Sequence, residues 1–270
     1  MSAPLDSARS AAQKAREAAQ ADPSKTFALI QALQNLGDAQ RDADAAAAES
    51  SYRDAIAAAE GKELPVGALA AVRMNLATLL DFSGREEEAA PFYEEAITDF
   101  EVLDTRESRE IGAQLRNNLA MNYKSLGKYA LAEQHYLRAL ETLEANHGRN
   151  SEAVATLFNN LGGLYYTAGF PDQARDMFAD ALEVRTSVLG AEHRDTAQAH
   201  SNLATACHEL RDNDAACQHY EAALDILEKK LPEEKRSFEA TGLDFVAMLE
   251  MINLSSRAAA VQKRIQSIAG

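Results

Sequence analysis

Apolar and polar positions along this chain follow a helical rhythm. Leu115, Leu119 and Tyr123 step by four, while Tyr136, Ala139, Leu140 and Leu143 step by three, one and three. Each set lies on one face of an α-helix. Gly127, between them, can take positive φ and predicts the end of the first helix. This helix–turn–helix unit recurs. The triplets Asn75-Leu76-Ala77, Asn118-Leu119-Ala120, Asn160-Leu161-Gly162 and Asn202-Leu203-Ala204 place their leucines 43, 42 and 42 residues apart. One more period reaches Phe245, and 40 residues before Leu76 stands Leu36, within Asn35-Leu36-Gly37. Small residues keep the period at Ala89, Ala132, Ala174, Ala216 and Ala258. An aromatic follows four later at Tyr93, Tyr136, Phe178 and Tyr220, with Tyr52 as the earlier match. Further columns are Ala96, Ala139, Ala181 and Ala223, and Gly84, Gly127 and Gly169. The second helices are predicted to run toward Leu103, Ala145, Leu189 and Leu231, with Gly148, Gly190 and Pro232 as breaks.

One such hairpin cannot bury its apolar face alone; stacked hairpins bury it continuously, so units of this kind come in arrays. Alanine or glycine lets two helix backbones approach, and the aromatic fills the space beside them. The pattern divides the chain into an alanine-rich N-terminal capping helix (1–23), five hairpins (24–231) and a degenerate sixth unit or C-terminal cap (232–270). In the last of these Asp244 replaces the recurring asparagine. A dimerisation surface is the alternative role for these ends.

Composition narrows the class. Hydrophobic residues make up 46% and charged residues 26%, as is ordinary for a folded soluble protein, while few glycines (13) and prolines (6) and abundant alanine predict an all-α class. The formal net charge of −15 disfavours nucleic acid and anionic membrane surfaces as partners. A basic peptide suits it, although such acidity serves solubility first. Two cysteines, Cys207 and Cys217, make no disulfide framework and fit a reducing compartment. No apolar stretch reads as a signal peptide or membrane span, so the expected location is the cytoplasm.

The order Asn-Leu-Ala/Gly, then tyrosine three residues on (Tyr123, Tyr165), then Gly, Ala, Tyr/Phe and Ala, resembles the tetratricopeptide repeat. Its 42-residue period resembles the kinesin-light-chain type, and Leu189-Gly190-Ala191-Glu192-His193 is similar to that type's linker, departing from it at Arg194. The resemblance implies a right-handed superhelical solenoid of about six tetratricopeptide helical hairpins with an N-terminal extra helix. It implies, too, that the first helix of each hairpin lines a concave groove. Asn35, Asn75, Asn118, Asn160 and Asn202 would then form a ladder of amides in that groove, able to pair with the backbone of an extended peptide. The same asparagines could instead bond a neighbouring helix and fix the stacking; both readings stand. Helical spacing adds Gln114, Asn117, Lys124, Asn159, Tyr166 and Gln198 to the candidate peptide-binding set. Asp38, Thr78, Asp81, Met121, Thr205 and His208 stand beside them.

The expected groove lacks the paired lysines that would clamp a C-terminal carboxylate. Arg73 and Arg116 are read as salt-bridge partners of acidic neighbours, with a ligand acid as the alternative. Cys207, His208, Cys217 and His219 cluster in one hairpin, but Cys207 holds a core column and adjacent residues diverge by about 100° on a helix. Buried thiols are therefore expected, and no metal. Glu86, Glu87 and Glu88 suit a helix start. No phosphate loop or nucleophile elbow occurs. These features predict a non-enzymatic adaptor without cofactor, which binds an extended segment of a partner protein or peptide. A self-assembling structural protein, or a sensor responding to a peptide or ligand, is the alternative.

Overall fold

A computed structural model describes residues 3–269, and every regular element among them is helical. The elements are α1 (Ala3–Ala21), a 3₁₀ turn (Pro23–Lys25), α2 (Thr26–Gln40), α3 (Ala45–Ala59), α4 (Ala70–Phe82), α5 (Glu86–Leu103) and α6 (Arg106–Ser125). They continue with α7 (Tyr129–His147), α8 (Glu152–Ala168), α9 (Pro171–Leu189), α10 (Arg194–Glu209), α11 (Asn213–Glu228), α12 (Lys235–Met251) and α13 (Ser255–Ala269). The chain forms two compact units that divide inside α7, after Thr142. Within each unit, helices pack on their neighbours in sequence: α1 to α6 in the first, α8 to α13 in the second.

The hairpin turns repeat down to single hydrogen bonds. Gly84, Gly127 and Gly169 take φ of 71°, 70° and 83°. One and two periods later Arg211 and Asn253 take φ of 64° and 61° in the same place. Each turn closes with a bond from the next amide to a carbonyl five residues back: Arg85 to Leu80, Lys128 to Tyr123, Phe170 to Tyr165, Asp212 to Cys207 and Leu254 to Leu249, at 2.8–3.0 Å. This closure satisfies carbonyls that a helix end leaves unpaired. Other ends are capped by side chains. Asp44, Ser151 and Asp212 accept from the third amide of α3, α8 and α11, and Thr105 with Ser108 forms a reciprocal capping box before α6.

Within a hairpin the two helices touch where the first carries a small residue and the second an aromatic. A Cβ built on Gly37 falls 2.5 Å from the Tyr52 ring, and one on Gly162 falls 2.5 Å from that of Phe178. Tyr52, Tyr93 and Tyr136 are at most 1% exposed and Phe178 is 5% exposed, so each ring adds roughly 1.5–3 kcal/mol of burial free energy to its hairpin. In the second unit the Tyr220 ring stacks on Phe245 of the next hairpin at 5.2 Å. On the opposite side, ion pairs join successive second helices. Glu49 of α3 takes Arg85 at the head of α5 at 2.7 Å, Glu221 of α11 takes Arg257 of α13, and Arg264 reaches Asp225 and Glu228 at 2.7 and 2.6 Å.

Two stability changes follow. Gly162→Ala forces its methyl into Phe178 and should destabilise by about 1–3 kcal/mol. Arg211→Gly relieves a left-handed residue, whose penalty of roughly 1–2 kcal/mol exceeds the entropic cost of glycine, and should raise the unfolding midpoint by about 1–2 °C. Thermal unfolding followed by circular dichroism measures both.

Candidate functional site

The first helices of the hairpins carry the asparagine column, and each unit presents its own share. In the first unit Asn35 on α2 is exposed, and Asn75 on α4 and Asn118 on α6 are half-buried. In the second unit Asn160 on α8 and Asn202 on α10 are half-buried. The small residue two positions on is buried against the second helix, at Ala77, Ala120 and Ala204, and this turns the asparagine away from the hairpin's interior, about 200° round the helix.

Several of these amides bond across hairpins. Asn75 Nδ2 donates to Asp38 Oδ1 at 2.7 Å, and the Tyr52 hydroxyl donates to the same oxygen at 2.6 Å. One hairpin later the Tyr93 hydroxyl lies 3.3 Å from Asp81 Oδ2, with Thr78 and Asn118 as further hydrogen-bonding neighbours. Asn122 completes that cluster by donating to Asp81 Oδ1 at 2.9 Å and to the Glu86 carbonyl at 3.0 Å. In the second unit Thr205 and the Tyr220 hydroxyl are 3.0 Å apart, and Asp244, in the ladder position of α12, faces the same ring oxygen. Tyr52, Tyr93 and Tyr220 thus each carry their hydroxyl to a polar group of a first helix. Burial, and then the neighbouring carboxylate, raises the hydroxyl pKa of Tyr52. Burial alone raises that of the Asp244 carboxyl.

Around this scaffold the other candidate residues take distinct places. Gln114 and Met121 on α6 are exposed, Asn117 and Lys124 are half-buried, and Asn117 Nδ2 approaches Asn118 Oδ1 at 3.3 Å. Desolvation lowers the pKa of Lys124. In the second unit Gln198 donates to Asn202 at 2.9 Å, and Asn202 donates to Asn159 on α8 at 2.7 Å, so three candidate amides form one chain. The exposed Tyr166 hydroxyl reaches Glu209 of α10 at 3.2 Å. Glu209 escaped the sequence reading because it sits one residue off the column that holds Tyr166 and His208. The tyrosine hydroxyl clusters escaped it as well, although the 42-residue columns of Tyr and Asn are their signal.

Both arginines are salt-bridged. Arg73 lies 2.8 Å from Glu95 and 2.5 Å from Asp99, and Arg116 pairs with Glu101. Cys207 and Cys217 are buried free thiols whose pKa burial raises. His208 Nδ1 pairs with Asn213, while His219 Nδ1 lies 2.9 Å from His200 Nδ1. Burial, then His219, lowers the His200 pKa to about 4. Among the described residues no three His, Cys, Asp or Glu side chains gather as a metal-holding group, and no helix is long and apolar enough to cross a membrane.

Comparison with known proteins places this geometry. Profiles described as tetratricopeptide repeat match residues 113–187, 154–229 and 70–98. The crystal structure of BtubC (BKLC) from P. vanneervenii is 32% identical, with a TM-score of 0.66 over 85% of this chain and 91% of that one. A kinesin light chain-type repeat protein from Podosopora anserina is similar at 16% identity and TM-score 0.55, over 86% of this chain and 100% of that one. A Rap protein complexed with competence and sporulation factor is similar at 14% identity and TM-score 0.51, covering 91% of this chain and 75% of that one. A search of the curated proteins finds no match. The fold is one that typically serves as a non-enzymatic protein-interaction scaffold. From the recurring columns, the matching profiles and the 32% identical relative, it follows that the chain belongs to the tetratricopeptide repeat family, with kinesin light chain-like repeat proteins among its structural neighbours.

Proposed function

We propose that this chain is a non-enzymatic adaptor that binds an extended segment of a partner protein along the first-helix face of its hairpins. The observation that carries this reading is the state of the amide column. Asn75, Asn118 and Asn202 are held by hydrogen bonds to their own scaffold and are still partly open to solvent. Asn75 uses its Nδ2 on Asp38, and Asn202 links Gln198 to Asn159. A side-chain amide offers two donor hydrogens and two acceptor lone pairs, so one internal bond fixes the group without exhausting it. Fixing side chains before a guest arrives lowers the ordering cost of binding. Exposed Gln114, Met121, Tyr166 and Gln198 supply further contacts of the mixed amide and apolar kind that reads a backbone more than a sequence. The acidic groups on this face, Asp38, Asp81 and Glu209, together with the net charge of −15, favour a basic segment. The complexed Rap protein supports the reading as a relative in fold.

Two variant pairs test it. Asn118→Ala with Asn160→Ala removes two ladder amides. Gln114→Ala with Gln198→Ala removes exposed amides that do not fasten one hairpin to the next. Affinity capture from native lysate, read by mass spectrometry beside circular dichroism, should show both pairs folded and both losing the wild-type partner at least tenfold. Full capture by the folded Gln114→Ala, Gln198→Ala protein would refute the proposed face.

A further inference from the structure

Gly112, the seventh residue of the 20-residue α6, has no packing reason to be glycine. Glycine weakens a helix interior, and at three other helical positions the cost has a cause. A Cβ on Gly37, Gly162 or Gly242 would fall 2.5–2.7 Å from the side chain of Tyr52, Phe178 or Ile265. At Gly112 a Cβ meets nothing within 4 Å. The residues one, two and three periods later are Val154, Thr196 and Phe238, all 0% exposed, so in the later hairpins a side chain fills the corresponding place. In α6 that place is a cavity of about 290 Å³ lined by Glu101 and Asp104 at the end of α5, by Arg109, Gly112 and Arg116 on α6, and by Thr142 on α7.

The charges around the cavity are unequal in burial. The Arg116 side chain is 10% exposed, and the Glu101 carboxylate that pairs with it is 55% exposed. Arg109 holds Asp104 at 2.7 Å, with 47% and 78% of the two side chains exposed. A buried guanidinium needs an anion beside it, but an exposed carboxylate gives up such a pair at little cost. Glu101 and Asp104 are therefore placeholders that an incoming anion can replace. A guanidinium fork suits the oxygens of a phosphate as well as those of a carboxylate, and a phosphate has three or four oxygens to share between two such forks.

We propose that this cavity binds a phosphate group, held by Arg116 and Arg109 above Gly112, with Glu101 and Asp104 displaced toward solvent. The site faces α5 and α7, apart from the asparagine column, and does not depend on the function proposed above.

Isothermal titration of the full chain with inorganic phosphate, at constant ionic strength and with acetate as the control anion, tests the site. Wild type should bind one phosphate per chain, at least tenfold more tightly than acetate. Gly112→Val fills the cavity as Val154 fills its counterpart, and should keep the helical spectrum while weakening phosphate at least tenfold. Glu101→Gln removes the internal competitor and should tighten phosphate several-fold. Arg109→Ala, a change at an exposed side chain, should weaken it and decides the matter if Gly112→Val does not fold. Absence of saturable phosphate binding by wild type overturns the site. So does unchanged binding by folded Gly112→Val or by Arg109→Ala, or weaker binding by Glu101→Gln.

Discussion

Close approach of the two helices in each hairpin is the constraint on which the rest of the structure depends. Gly37 lies under Tyr52 and Gly162 under Phe178. Alanine occupies the equivalent place at Ala77, Ala120 and Ala204, all fully buried. A larger residue would push the second helix outward. The aromatic ring would then lose its burial, and the next hairpin would lose the surface on which it stacks. Because interiors pack near crystal density, this one contact sets the spacing for every element that follows it.

A second consequence concerns polarity. A ring inserted between helices brings its hydroxyl to the first-helix face, where a buried hydroxyl must find a partner. Asp38 meets Tyr52, and Asp81 with Thr78 meets Tyr93. Asn75 then bonds Asp38 from the following hairpin. The asparagine column is thus part of the joint between hairpins as well as a row of polar groups on the face. A side-chain amide bonded once in this way keeps unspent hydrogen-bonding capacity.

Acidity, too, has a structural share. The net charge of −15 is not spread over an indifferent surface. Arg85 at the head of α5 takes Glu49 of α3 as well as Glu88 of its own helix, and Arg264 of α13 takes both Asp225 and Glu228 of α11, so each arginine links successive second helices. Single exposed pairs contribute little, but shared ones in a row restrict how the helices slide. Glu88, read from sequence as part of a solvated helix start, proves to be one of these partners.

The sequence by itself determined the hairpins, their period and their turns as far as Gly169, because burial and positive φ both select residue types that can be read one position at a time. It also placed Tyr52 in the aromatic column and Arg73 and Arg116 in ion pairs. It did not disclose that Arg211 and Asn253 adopt the glycine conformation, because there the stacked hairpin imposes the turn and the residue type does not. Nor did it reveal Glu209 beside Tyr166, the His200–His219 contact or the open space above Gly112. Each of these joins side chains from different helices, or depends on a volume that no side chain enters. Only the tertiary structure decides such meetings, because they depend on distances between helices, and those are set by packing rather than by any residue's own preference.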